Sequence, residues 1–124
     1  MATITLGAGN FERTVTDNDV VFVDFWAAWC GPCRHFAPVF EQASEGHPDV
    51  VFGKVDTEAE RALAAAAGIT SIPTLMAFRH GRLVFAQPGA LPPTALEQVI
   101  AAVRALDIDA SERGAGQADT PAAS

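Results

Sequence analysis

The stretch VVFVDFWA, Val20 to Ala27, limits the folds open to this chain more than any other. It is β-branched and aromatic, and Asp24 is its one polar residue. A strand with one face in water alternates apolar and polar side chains. This one does not, so both of its faces must be covered. Strands of that kind belong to parallel sheets flanked by helices, in α/β domains. The rest of the chain must therefore supply helices for two faces and further strands beside this one.

The flanking sequence meets that demand. TITL (Thr3 to Leu6) is a short strand, and Asn10 to Asn18 a short helix with Phe11 and Val15 four apart. A longer helix starts near Gly31. Phe36, Val39, Phe40 and Ala43 give it one apolar face, and Pro38, lacking an N–H, is expected to kink it. VVFGKV (Val50 to Val55) is the next strand. In TEAERALAAAAG, Thr57 and Glu60 have capping-box spacing, and Gly68 is placed to end the helix. PTLMAF (Pro73 to Phe78) and RLVFAQ (Arg82 to Gln87) are strands joined by a turn at RHG. The last helix begins at Pro92 and Pro93 and carries Leu96, Val99, Ile100, Val103 and Leu106 as its stripe. The order is β-α-β-α-β-α-β-β-α. That is a parallel sheet with helices on both faces and an antiparallel hairpin added late. Periodicity stops after Asp107. Residues 1–107 form one domain, and 108–124, small and polar, are expected to be a disordered tail.

With 124 residues, a single domain buries about two thirds of its surface and needs no staples. The net charge of −7 argues against nucleic acid and against an anionic membrane, both of which select basic patches. The start, MATITLGAGN, has neither the basic nor the apolar segment of a signal peptide. The apolar run at Val20 is too short to span a bilayer. The expectation is a cytoplasmic protein.

The only cysteines, Cys30 and Cys33, stand a single turn apart. A pair so spaced has three uses. As a structural staple it closes too small a loop to restrict the unfolded chain much. As a metal site it lacks a second pair, and His35, His47 and His80 are not at ligand spacing. A site shared between chains stays open. As a redox pair it is well placed. Cys30 follows the C-terminal end of a strand and precedes a helix, the edge where α/β sheets collect their sites. The free N–H groups of a helix start favour an anion, and the thiolate is the nucleophile. Lowering a thiol from near 8.5 by about one unit raises its thiolate fraction at pH 7 from roughly 3% to roughly 24%. Pro32 suits a first helical turn. Cys33, further into the helix, is expected to be the deeper sulfur.

VDFWAAWCGPC resembles the active-site segment of the thioredoxin family. KVD, SIPT with its hairpin, and GAL follow in that family's order. The resemblance spans about Thr3 to Leu106. It implies the thioredoxin fold: a mixed five-stranded sheet of order 1-3-2-4-5 with four helices. It implies a protein-disulfide reductase in which Cys30 attacks a target disulfide and Cys33 resolves the mixed disulfide, with Gly31-Pro32 marking a reductant. Asp24 becomes a buried proton partner of Cys33, with Lys54 paired to it; from the residues alone, a strand-edge carboxylate reaching water is the lesser reading of Asp24, while Lys54 reads equally well as a solvated lysine. Ile72 offers backbone to the target chain, and Pro73 is cis against the cysteines. Trp29, Ile72, Pro73, Gly89 and Ala90 form an apolar rim around Cys30, Gly31 and Pro32, while Trp26 is read as structural. No bound cofactor is implied. Electrons come from NADPH through a flavin-dependent thioredoxin reductase, and the partners are that reductase and oxidised proteins, met by a monomer. Arg34 stands where the family has lysine, and His35 is expected to be solvated. Two alternatives remain: a dithiol oxidoreductase specialised for one partner, and a thioredoxin-fold subunit that binds without turnover.

Overall fold

The computed structural model describes residues 2–106. Its elements are β1 (Thr3–Thr5), α1 (Phe11–Asp17), β2 (Val20–Trp26), α2 (Gly31–Gly46), β3 (Val51–Asp56), α3 (Arg61–Ala66), β4 (Thr74–Arg79), β5 (Arg82–Pro88) and α4 (Pro93–Arg104). The sheet order is β1-β3-β2-β4-β5. β3 runs parallel to both β1 and β2, and β4 runs antiparallel to β2 and β5. The order implied by the resemblance is the one observed. The proposed tail lies outside the described residues.

β2 is the central strand, and its side chains are divided between two cores. Val20 and Phe22 pack with Phe36 and Phe40 of α2 and with Leu96 and Ile100 of α4. Val21, Val23 and Phe25 pack with Leu6, with Val15 of α1, and with Leu63 of the α3 side. Both clusters are apolar throughout, so the strand has no face left for water. Each fully buried Phe or Val contributes about 1.5–3 kcal/mol of transfer free energy. The α2 side is mortared by rings. Phe52 stacks on Phe22 at 5.6 Å between centroids and meets Phe40 edge-on at 5.2 Å.

Local chemistry ends the elements. After α3, Gly68 takes φ 74. Its N–H bonds to Ala65 O and the N–H of Ile69 to Ala64 O, both at 3.0 Å, the paired closure of a Schellman motif. His80 and Gly81 hold φ 52 and 80 between Arg79 and Arg82. Two such residues make the tight turn that matches strand twist. The Arg79 guanidinium donates to the carbonyls of Val103 and Arg104 at 2.9 and 2.6 Å. A cation there satisfies the orphan acceptors of the α4 C-terminus. α2 runs on through Pro38 as a single helix.

The expected capping box at Thr57 and Glu60 does not form. α3 begins only at Arg61, with Glu60 at its N-cap position and no side-chain cap. Tertiary partners claim both side chains. The Thr57 hydroxyl donates to Trp26 O at 3.0 Å, and Glu60 accepts the N–H of Ala8 at 3.2 Å. Asp56 accepts the N–H of Glu58 instead, at 2.9 Å.

Gly53 of β3 has its missing side chain replaced by Leu6, so a Cβ there would overlap the Leu6 side chain. Leu6 is fully buried and cannot swing out. Gly53→Ala is expected to cost about 1–3 kcal/mol in urea denaturation, the usual penalty for overpacking. In a Leu6→Ala background the same change is expected to cost less. Strict additivity of the two would contradict this packing.

Candidate redox site

β2 delivers the chain to the sheet edge, and Ala27 to Trp29 turn it into α2. The turn is closed by the Cys30 N–H on Ala27 O at 3.3 Å and by Arg34, whose guanidinium donates to Ala28 O at 3.0 Å. Cys30 is the N-cap residue of α2, in extended backbone conformation, and its Sγ accepts the N–H of Cys33 at 3.1 Å. The sulfur thus stands where a capping oxygen normally stands. Pro32 occupies the first turn, where its lack of an N–H costs nothing. Cys30 and Cys33 are joined as a disulfide, with Cα atoms 5.2 Å apart.

The expected difference in depth between the sulfurs is small: Cys30 is 4% exposed and Cys33 2%. What separates them is a groove of about 410 Å³ whose wall includes Cys30 but not Cys33. Trp29, Gly31, Pro32 and Ile72 share that wall. Trp29 is 67% exposed, and its indole N–H donates to Glu58 at 3.2 Å. Cys30 Sγ lies 3.8 Å from the carbonyl oxygen of Ile72. The Ile72–Pro73 bond is cis. Pro73 is buried, and its carbonyl accepts the N–H of Gly89 at 2.8 Å. Gly89, at φ 105, and Ala90 are exposed. They are tied to the site through Pro73 and do not line the groove itself.

Asp24 is fully buried, and neither carboxylate oxygen has a hydrogen-bond partner. By strand alternation it shares a face with Phe22, which is the face α2 covers. Lys54 is its Cα partner on β3. Burial pushes the Asp24 carboxyl up to about 7, against the opposing pull of the Lys54 ammonium. Desolvation penalises the charged form, and one neighbouring cation does not cancel it here. The buried setting of Asp24 therefore decides against a solvated carboxylate. The Lys54 ammonium stands 5.2 Å from the Trp26 ring centroid.

Several residues of the site left no trace in the motif reading. Ile69 and Thr70 line the groove together with Trp29, directly after the reversal at Gly68. Glu58 meets the Trp29 indole across 29 residues of sequence, and no local pattern announces a contact of that range. His35 is exposed, as expected. Among the described residues, no group of three or more His, Cys, Asp or Glu is placed to hold a metal ion, and no helix is long and apolar enough to cross a membrane.

Known proteins match this geometry. The thioredoxin family model matches residues 2–102. The chain is 60% identical over 108 residues to a putative thioredoxin 2 of Streptomyces coelicolor, covering 87% of this chain and 81% of that one. It is 44% identical over 103 residues to a thioredoxin of Alicyclobacillus acidocaldarius, covering 82% and 98%. A mutant thioredoxin from Halobacterium salinarum superposes with a TM-score of 0.77 at 36% identity, over 84% of this chain and 91% of that one. A pair of cysteines at a helix start, set in this sheet and shared with these relatives, places the chain in the thioredoxin family of thiol–disulfide oxidoreductases.

Proposed function

We propose that this chain is a general protein-disulfide reductase in which Cys30 attacks and Cys33 resolves. The observation that carries the assignment is the contact of Cys30 Sγ with the Cys33 N–H, in the wall of an open groove. The same N–H that caps α2 stabilises a thiolate at Cys30 when the disulfide is reduced. That thiolate attacks one sulfur of a target disulfide, and the other leaves as a thiolate. Cys33 gives its proton to Asp24 and attacks Cys30 Sγ, which releases the second target thiol. Two electrons pass to the target, and the Cys30–Cys33 disulfide remains. Lys54 holds the Asp24 carboxyl within reach of neutral pH. Trp29, Gly31, Pro32 and Ile72 receive the target chain, flanked by Pro73, Gly89 and Ala90. The half-hidden carbonyl of Ile72 offers it a backbone acceptor.

The dithiol is regenerated by a flavin-dependent thioredoxin reductase drawing on NADPH, in the cytoplasm, and the chain works as a monomer. Family membership supports the reductase and the disulfide-bearing targets. The assignment is tested by reduction of insulin disulfides with dithiothreitol as donor. The wild type is expected to accelerate precipitation of the insulin B chain, and Cys30→Ser to lose that acceleration entirely. Equal rates with and without well-folded wild-type protein would sink the general reductase and leave a dithiol specialised for one partner.

Asp24 adds a pH signature. In the unfolded chain its carboxyl ionises near pH 4, whereas the native protein holds the proton to about pH 7. Between these limits the native state binds the extra proton, so stability falls as pH rises. The loss is on the order of 3–4 kcal/mol and levels off above about pH 7, where both states are ionised. Asp24→Asn is expected to remove this slope in urea denaturation of the oxidised protein and to slow collapse of the mixed disulfide by at least about tenfold near neutral pH. An unchanged slope would contradict the buried carboxyl, and an unchanged collapse rate would contradict its proton transfer.

A further inference from the structure

Trp26 is the last residue of β2. Side chains two apart on a strand share a face, so Trp26 and Asp24 project from the same side. Lys54 stands opposite Asp24 in the register, and Trp26 stands opposite Asp56. Lys54 is therefore diagonal to Trp26, within reach of a long side chain. Its ammonium lies 5.2 Å from the indole centroid, inside the range of about 6 Å over which the negative face of an aromatic ring attracts a cation. The same indole packs against the cluster of Ala27, Cys30 and Cys33. Its backbone is fixed, because Trp26 O accepts both the N–H and the hydroxyl of Thr57, at 2.9 and 3.0 Å. One rigid ring thus touches both the dithiol cluster and the cation.

The Lys54 charge is also felt by a second carboxylate. It acts on Asp24 and also on Glu41 of α2. Glu41 lies toward the surface, bonded to the Thr3 hydroxyl at 2.7 Å and the Ala2 N–H at 3.1 Å. A flexible, strongly hydrated ammonium left to itself turns to water and to an accessible carboxylate rather than to a buried one. The ring face supplies a competing attraction on the Asp24 side.

We propose that Trp26 is a positioning residue: its indole face holds the Lys54 ammonium beside Asp24, where the cation favours the carboxylate form that takes the proton of Cys33. The inference rests on the assignment of Asp24 as proton partner. Lys54 from β3 and apolar Leu75 from β4 stand opposite Asp24 in the register, and α2 covers the same face and carries Glu41, which also feels the Lys54 charge.

The test is the carboxyl carbon-13 titration of Asp24 in the oxidised protein, where neither sulfur titrates. Trp26→Leu is expected to raise its midpoint by about half a pH unit or more, because the favourable cation is released. Trp26→Phe keeps a ring face and is expected to show less than half that shift. In a Lys54→Met background, Trp26→Leu is expected to shift nothing further. No shift in Trp26→Leu, or a shift that persists without Lys54, would overturn the positioning role and leave Trp26 as packing alone. The pH profile of mixed-disulfide collapse is expected to move with the titration. A profile that stays still while the titration moves would overturn the Asp24 assignment itself, with the Lys54 placement intact.

Discussion

Everything in this molecule hangs on β2 being covered on both faces. A strand with no wet side must sit at the centre of the sheet, and its alternate side chains must find two separate cores. Val20 and Phe22 fill one, Val21, Val23 and Phe25 the other. Once β2 is fixed in that way, its C-terminal end is fixed too. The residues that follow can only emerge at the sheet edge and turn into the helix that covers one face. Cys30 sits at that turn. Its position is a consequence of the packing of those five β2 residues, which is why a two-cysteine motif acquires chemical meaning only in this setting.

Two electrostatic environments of opposite kind are built a few residues apart. At Cys30, a backbone N–H points at the sulfur. A hydrogen bond to a charged acceptor contributes about 1.5–3 kcal/mol, against about 0.3–1 kcal/mol for a helix dipole at an exposed end. In the proposed thiolate state, the single N–H of Cys33 would therefore outweigh the macrodipole as a source of stabilisation. At Asp24 there is no such donor. Both oxygens are buried and unpartnered, so desolvation dominates and the carboxyl holds its proton to about pH 7. One group is arranged to carry charge and the other to resist it. A carboxyl perturbed in this way is the kind of group that clusters at functional sites. Fixed geometry at both sites makes this arrangement a property of the resting fold.

Much of this was legible in the sequence, and the reasons are specific. β2, β3 and β4 were readable because long-range burial leaves an apolar run that a local window can see, and β5, which has no buried residue, through the turn that joins it to β4. Gly68 and the His80-Gly81 turn were readable because left-handed backbone selects residue type directly. The start of α3 was not readable. Thr57 and Glu60 have the spacing of a cap, but each bonds to a distant segment, and spacing carries no information about such rivals. Part of the groove wall was hidden for the same reason: Ile69 and Thr70 have ordinary loop composition, and only the reversal after α3 brings them into the same groove as Cys30. Asp24 was visible as an anomaly, a lone charge in an apolar run. Its lack of any hydrogen-bond partner belongs to tertiary structure and had to be seen there.

The central claim is that the start of α2 makes Cys30, and not Cys33, the reactive sulfur. The direct measurement is alkylation of the fully reduced protein by limiting iodoacetamide across pH, with each site followed by peptide mass mapping. The account predicts that Cys30 is modified first and that its rate reaches half-maximum clearly below the free-thiol value of about 8.5. Cys33 is predicted to lag at every pH. Equal modification of the two sulfurs, or a Cys30 profile that follows that of a free thiol, would contradict it.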